Sequence, residues 1–182
     1  MPIKHLPNII SFARLLLVLP FIYYFLSDKI DLALLVFACA SLSDGLDGWI
    51  ARFFNCQSRL GLIIDPIADK ALIISCFILL GYKQYLNMGL ITMVILRDVF
   101  ILTGAFLSLK LLKKNYPLQP TIISKINTVL QMLLIVASLT NACFANIDSI
   151  YINYLSIIVA ITTCASFSQY LYRWQRHLYH QY

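Results

Sequence analysis

Apolar residues run along this chain in six long stretches, at 8–27, 32–53, 62–82, 86–110, 122–143 and 149–172, parted by short polar breaks such as Ser27-Asp28-Lys29. Each is close to the roughly 20 residues that a helix needs to cross about 30 Å of hydrocarbon. None alternates polar with apolar positions, so helices are predicted and not barrel strands; these are the two ways a backbone can satisfy itself in lipid. The expected architecture is an all-α membrane protein with six transmembrane helices, forming one domain over 1–182. The first stretch is expected to remain in the mature protein. Pro7 and Asn8 stand at its start, Arg14 interrupts it, and no small-residue cleavage site follows.

Composition narrows the class. With 60% hydrophobic and 12% charged residues, and a mean hydropathy of +0.80, there is too little polar surface for a soluble domain. If the spans alternate, Lys4, Arg14, Arg52, Arg59, Lys70, Lys110, Lys113, Lys114, Lys125, Arg173 and Arg176 all fall on one side, against Lys29 and Lys83 on the other. Loops rich in Lys and Arg stay in the cytoplasm, so both termini are expected there. The expected setting is a bacterial inner (cytoplasmic) membrane. The net charge of +6 implies a basic rim that attracts anionic lipid headgroups. No nucleic-acid partner is expected, because the sequence shows no soluble basic module to bind one.

Negative charge is distributed in the opposite manner. The chain has eight acidic residues and no Glu, and four of the eight, Asp44, Asp47, Asp65 and Asp69, fall between positions 44 and 69. At about 100° per residue, Asp44, Asp47, Gly48 and Ala51 share one stripe of the second helix, with Arg52 at its cytoplasmic end. Gly61, Asp65 and Asp69, each four apart, share a stripe of the third. The connection from Phe53 to Leu60 is short enough to make these helices antiparallel neighbours, so the active site is expected between helices 2 and 3 on the cytoplasmic side. Uncompensated carboxylates at membrane depth cost several kcal/mol each, so a cation must neutralise them. Oxygen-only ligands favour a hard ion, Mg²⁺ or Mn²⁺, over zinc. Gly48 and Gly61 remove side chains where a ligand must approach the backbone. Two other readings compete: a structural pairing of an aspartate with a lysine, and an ion or proton transporter. A transporter would string further polar residues across the bilayer, and spans five and six carry only scattered Ser, Thr and Asn.

The run Asp44-x-x-Asp47-Gly48-x-x-Ala51-Arg52, eight residues, then Gly61-x-x-x-Asp65-x-x-x-Asp69 resembles the signature of the CDP-alcohol phosphatidyltransferases at every defining position. The resemblance covers most of the chain. It implies that an acceptor hydroxyl attacks the phosphatidyl phosphorus of CDP-diacylglycerol and CMP leaves. It further implies two metal ions, Mg²⁺ or Mn²⁺, with Asp44, Asp47 and Asp65 as the main ligands and Asp69 as the general base beside the second metal, and it implies a homodimer. In that role Asp69 would accept the proton as the oxygen commits to phosphorus. Asp47, Gly48, Arg52 and Gly61 are the implied CDP-contacting positions, Arg52 reaching phosphate with its fork of donors. The opening segment Pro7-Asn8 to Arg14 is similar to that of the family and places Asn8 and Arg14 beside the nucleotide.

Arg97, followed by Asp98, lies mid-span in the fourth helix, where an arginine is costly unless it faces a polar cavity. It is expected in or beside the acceptor site, the alternative being a structural pair with Asp98. Lys125, in Ser124-Lys125-Ile126-Asn127-Thr128, is either an acceptor-facing cation or an interfacial anchor. These two stretches resemble the CDP-alcohol-type cardiolipin synthases, whose acceptor is phosphatidylglycerol. The neighbouring phosphatidylglycerophosphate synthases, which use glycerol 3-phosphate, more often have Glu and Gly where Asp98 and Ser124 stand. Cys39, Cys56, Cys76, Cys143 and Cys164 are widely spaced and read as small buried hydrophobes.

Overall fold

The computed structural model describes the backbone over 6–54, 61–111, 121–145 and 147–179, and side chains over 13–43, 67, 70–104, 121–145 and 147–173. Six helices account for nearly all of it: α1 (Leu6–Leu26), α2 (Ile30–Phe54), α3 (Gly61–Tyr82), α4 (Met88–Leu111), α5 (Ile122–Phe144) and α6 (Ser149–Tyr179). Each coincides with one of the six apolar stretches. The main departure is α6, which continues past residue 172 because the tail Tyr170 to Tyr179 holds no Gly or Pro to stop it.

Local chemistry explains the helix ends. Thr121 precedes α5 and its hydroxyl accepts the Ser124 N–H at 3.1 Å, the N-cap arrangement. Asn87 does the same for α4, accepting the Gly89 N–H at 2.7 Å. At the end of α1, Asp28 takes a left-handed conformation (φ 58°), while Lys29 N–H donates to the Tyr24 carbonyl at 3.0 Å and Asp28 N–H to that of Phe25 at 3.3 Å. This is a Schellman ending made without glycine. The end of α3 repeats it, with Gln84 at φ 59° and Tyr85 N–H donating to the Leu80 carbonyl at 2.9 Å.

The chain divides into two compact units, one of 1–85 with 139–146 and one of 86–138 with 147–182. In the first, α1 packs against both α2 and α3. Phe21 and Phe25 of α1 and Phe37 of α2 are fully buried there, with Phe21 6.3 Å from Phe37; Ile73, Phe77 and Leu80 are the buried face of α3. In the second, α4 packs against α6, where Phe100 and Phe167 meet edge to face at 5.0 Å.

Burial is inverted relative to a water-soluble protein. Leu19, Leu42 and Ile122 are 65%, 69% and 77% exposed, whereas Arg14, Arg97, Asp98, Asn127 and Gln131 are buried. A lipid surround favours this distribution, because it costs nothing to expose leucine there and much to expose charge. Two of the described helices, α5 and the Ser149–Arg173 part of α6, are long and apolar enough to cross a membrane. Among the described cysteines none is bonded to another; Cys76 is buried, but Cys39 and Cys164 lie on exposed faces, unlike the buried sites expected of them.

Candidate active site

The geometry of the acidic motif starts at the far end of its own unit. Lys83 donates from Nζ to Asp28 Oδ1, which ties the end of α3 to the end of α1. With α1 packed against both α2 and α3, the starts of α1 and α3 and the end of the returning α2 point away from that pair. Arg14 and Asp69 each stand 14 residues before the bonded residue in the turn after their own helix, and Asp44 stands 14 residues beyond Ile30 at the start of α2. At 1.5 Å per residue, all three are at the same height, about 21 Å from the Asp28–Lys83 pair. Asp47, Gly48 and Arg52 continue along α2 beyond that level, as do Asp65 and Gly61 along α3 and Asn8 along α1. By helical register, every motif position falls on the side of this unit away from the Asp28–Lys83 pair. The side chains of Asn8, Asp44, Asp47, Arg52, Asp65 and Asp69, with Gly48 and Gly61, lie outside the described side chains. Among the described residues, no three His, Cys, Asp or Glu side chains form a metal-binding group.

Arg14 stands on α1 at the level of Asp44 and Asp69, and its side chain is among those described. It is only 3% exposed, and its Nε–H meets no acceptor. A buried guanidinium at this depth needs negative charge, and the helices against which α1 packs are those that carry the four aspartates.

The second unit centres on Arg97. It is 2% exposed and Asp98 is fully buried. Arg97 Nη1 donates to Asp98 Oδ1 at 2.6 Å, and Nη2 donates to Ser124 Oγ at 2.5 Å and to Ser166 Oγ at 2.6 Å. One side chain of α4 thereby holds the first turn of α5 and the middle of α6. The Arg97 Nε–H finds no acceptor. The pair with Asp98 weighed from the sequence is present, joined by two hydroxyls that were not anticipated. Lys125, the next residue after Ser124, is exposed and makes no ion pair among the described residues.

One turn further along α5, Asn127 Oδ1 accepts from Thr162 Oγ1 at 2.8 Å and from Thr163 Oγ1 at 3.0 Å. Ser124, Asn127, Gln131 and Ser138 are all buried and recur at helical spacing on one face of α5. The polar residues of spans five and six are therefore not scattered, as the sequence reading had them, but form a stripe. The signal that encodes it is the spacing of 3, 4 and 7 positions between these polar residues, the helical period of the apolar ones. Among the described residues, the stripe on α5 is made of hydroxyls and amides, and Arg97 and Asp98 form an ion pair beside it.

The model of one family, CDP-alcohol phosphatidyltransferase, matches residues 4–166. The chain belongs to that family. Among its relatives are the CMP-forming cardiolipin synthases of Rattus norvegicus and Homo sapiens, 39% and 38% identical over 92% of this chain. This chain spans 61% of the length of each. The CDP-diacylglycerol–glycerol-3-phosphate 3-phosphatidyltransferase of Aquifex aeolicus is 30% identical over 91% of this chain and 93% of its own length. Family membership supports the phosphatidyltransferase reading of the motif and lends nothing to the transporter reading.

Proposed function

We propose that the chain transfers a phosphatidyl group from CDP-diacylglycerol to a hydroxyl of phosphatidylglycerol, releasing CMP and forming cardiolipin. The observation that carries this is the helical register that puts Asp44, Asp47, Asp65 and Asp69 on one side of a three-helix unit, in a member of the CDP-alcohol phosphatidyltransferase family. The choice of acceptor is supported by 39% identity to a cardiolipin synthase, against 30% to the Aquifex glycerol-3-phosphate enzyme. Glycerol 3-phosphate is the second reading, favoured by the near-complete coverage of that smaller enzyme.

In this reading the acceptor oxygen attacks phosphorus, its proton passes to Asp69, and the bond to CMP breaks with the electron pair leaving on CMP. Proton removal by a placed base contributes roughly 10²- to 10⁴-fold. The donor set, four carboxylates without His or Cys, fits two Mg²⁺ or Mn²⁺ ions. Asp44, Asp47 and Asp65 would hold them, with Asp69 alongside the second. Bound there, they would supply neutralisation of the charge that builds on CMP. Asp47, Gly48, Arg52 and Gly61 would contact the CDP moiety, and Asn8 and Arg14 would border it. Arg97 and Lys125 belong to the acceptor side.

All six helices span the bilayer in this reading, with both termini and the motif at the cytoplasmic face of a bacterial inner membrane, in a homodimer. The Lys and Arg distribution supports that topology, as does the Asp28–Lys83 pair at the end of the first unit away from the motif. The test is CMP release by the purified chain with CDP-diacylglycerol, Mg²⁺ or Mn²⁺, and each acceptor in turn. Phosphatidylglycerol in mixed micelles should give saturable release and glycerol 3-phosphate little; the reverse preference overturns the acceptor assignment.

A further inference from the structure

We infer that Ser124 and Ser166 set acceptor specificity, by holding the Arg97 guanidinium in an internal tether so that it cannot grip a phosphomonoester. This rests on the acceptor reading above and deepens it. An arginine grips phosphate through two adjacent N–H groups, either Nη1 with Nη2 or Nε with Nη2. Both grips need Nη2. Here both Nη2 hydrogens are committed, one to Ser124 Oγ at 2.5 Å and one to Ser166 Oγ at 2.6 Å, so neither edge is complete. The guanidinium charge is likewise matched inside the unit, by Asp98 at 2.6 Å.

Charge then discriminates between acceptors. Arg97 and Asp98 sum to zero, which leaves exposed Lys125, one residue beyond Ser124, as the cation of this part of α5 among the described residues. A phosphomonoester carries about −1.5 to −2 at neutral pH. A phosphodiester such as the headgroup of phosphatidylglycerol carries one negative charge, which a single lysine matches. Ser124 and Ser166 touch neither substrate; they are positioning residues that act through Arg97.

The tether can be undone one hydroxyl at a time. Ser124→Ala, Ser166→Ala, the double variant and Ser124→Thr are compared with wild type for CMP release with phosphatidylglycerol, with glycerol 3-phosphate, and with phosphatidylglycerol in the presence of glycerol 3-phosphate as inhibitor. Thermal melts in detergent keep loss of fold separate, and the Ser166 variant stands in should Ser124→Ala not fold. The expected result is that either alanine lowers the inhibition constant for glycerol 3-phosphate at least about tenfold with phosphatidylglycerol turnover retained. The double variant should begin to use glycerol 3-phosphate, and Ser124→Thr, which keeps the hydroxyl, should behave as wild type. If wild type uses phosphatidylglycerol and the alanine variants keep its ratio of acceptors, or lose both activities in parallel, the inference fails and the acceptor reading stands. A wild type that uses glycerol 3-phosphate in place of phosphatidylglycerol overturns that reading, and the inference with it.

Discussion

Lys83 Nζ donates to Asp28 Oδ1 across 55 positions of sequence, joining the turn after α1 to the turn after α3. The pair lies at the surface and marks the end of the unit away from Arg14, Asp44 and Asp69, which stand about the same number of residues along their helices from it. The bond with Asp28 raises the Lys83 pKa above that of an ordinary lysine. A raised lysine stabilises the fold while protonated, so the contribution is complete below the unfolded lysine value, about 10.4, and is lost as pH rises through the folded one. Lys83→Met should therefore lower the melting temperature slightly at pH 8, with the deficit shrinking as pH rises through the raised lysine value. A deficit that persists at high pH would assign the loss to packing of the lysine stem.

The aspartates should separate by role. Excess chelator should abolish CMP release and Mg²⁺ or Mn²⁺ restore it. Asp44→Asn, Asp47→Asn and Asp65→Asn should each weaken both metal dependence and CDP-lipid binding. Asp69→Asn should retain nucleotide binding while turnover falls at least about 10²-fold. Equal binding losses in all four would make Asp69 primarily a ligand.

Arg14 shares the level of Asp44 and Asp69 and is buried. A charge-assisted hydrogen bond contributes about 1.5–3 kcal/mol, so Arg14→Gln should weaken CDP-diacylglycerol binding roughly tenfold or more. The measurement is binding of the CDP-lipid in detergent, with melting temperature followed in parallel. Unchanged affinity in a folded variant would remove Arg14 from the nucleotide side.

Arg97→Ala leaves Asp98 buried without its cation. Breaking a buried pair on one side typically costs about 3–5 kcal/mol, so this variant should unfold at distinctly lower temperature. Arg97→Met combined with Asp98→Leu removes both charges and should recover much of the loss. A double variant as unstable as the single would show that the two serines, not the charge pair, hold α5 and α6.

Gln131 is fully buried, and neither Nε2 nor Oε1 has a hydrogen-bond partner. An unpaired buried amide costs about 1–3 kcal/mol, so Gln131→Leu should raise the melting temperature with activity unchanged. Lower activity without a gain in stability would mean that the amide serves the reaction.

Much of this protein is written locally. A long helix that is apolar along its length satisfies its backbone within itself, so the six helices could be read from runs of neighbouring residues, nearly to their ends. The acidic motif is local for a related reason: Asp44 with Asp47, and Asp65 with Asp69, each belong to one helix, and a six-residue connection, 55–60, joins the two helices. What the tertiary structure alone decided are the partners of polar groups distant in sequence. Arg97 in isolation is a buried cation that could face an acceptor or a neighbour. Ser124 and Ser166 lie 27 and 69 positions away, and no periodicity within α4 encodes them. The Asp28–Lys83 pair and the bonds from Thr162 and Thr163 to Asn127 arise in the same way. In a chain with an apolar exterior, the hydrophobic pattern specifies which segments are helices; directional hydrogen bonds between buried polar side chains select how α5 meets α4 and α6, and those exist only once the helices have assembled.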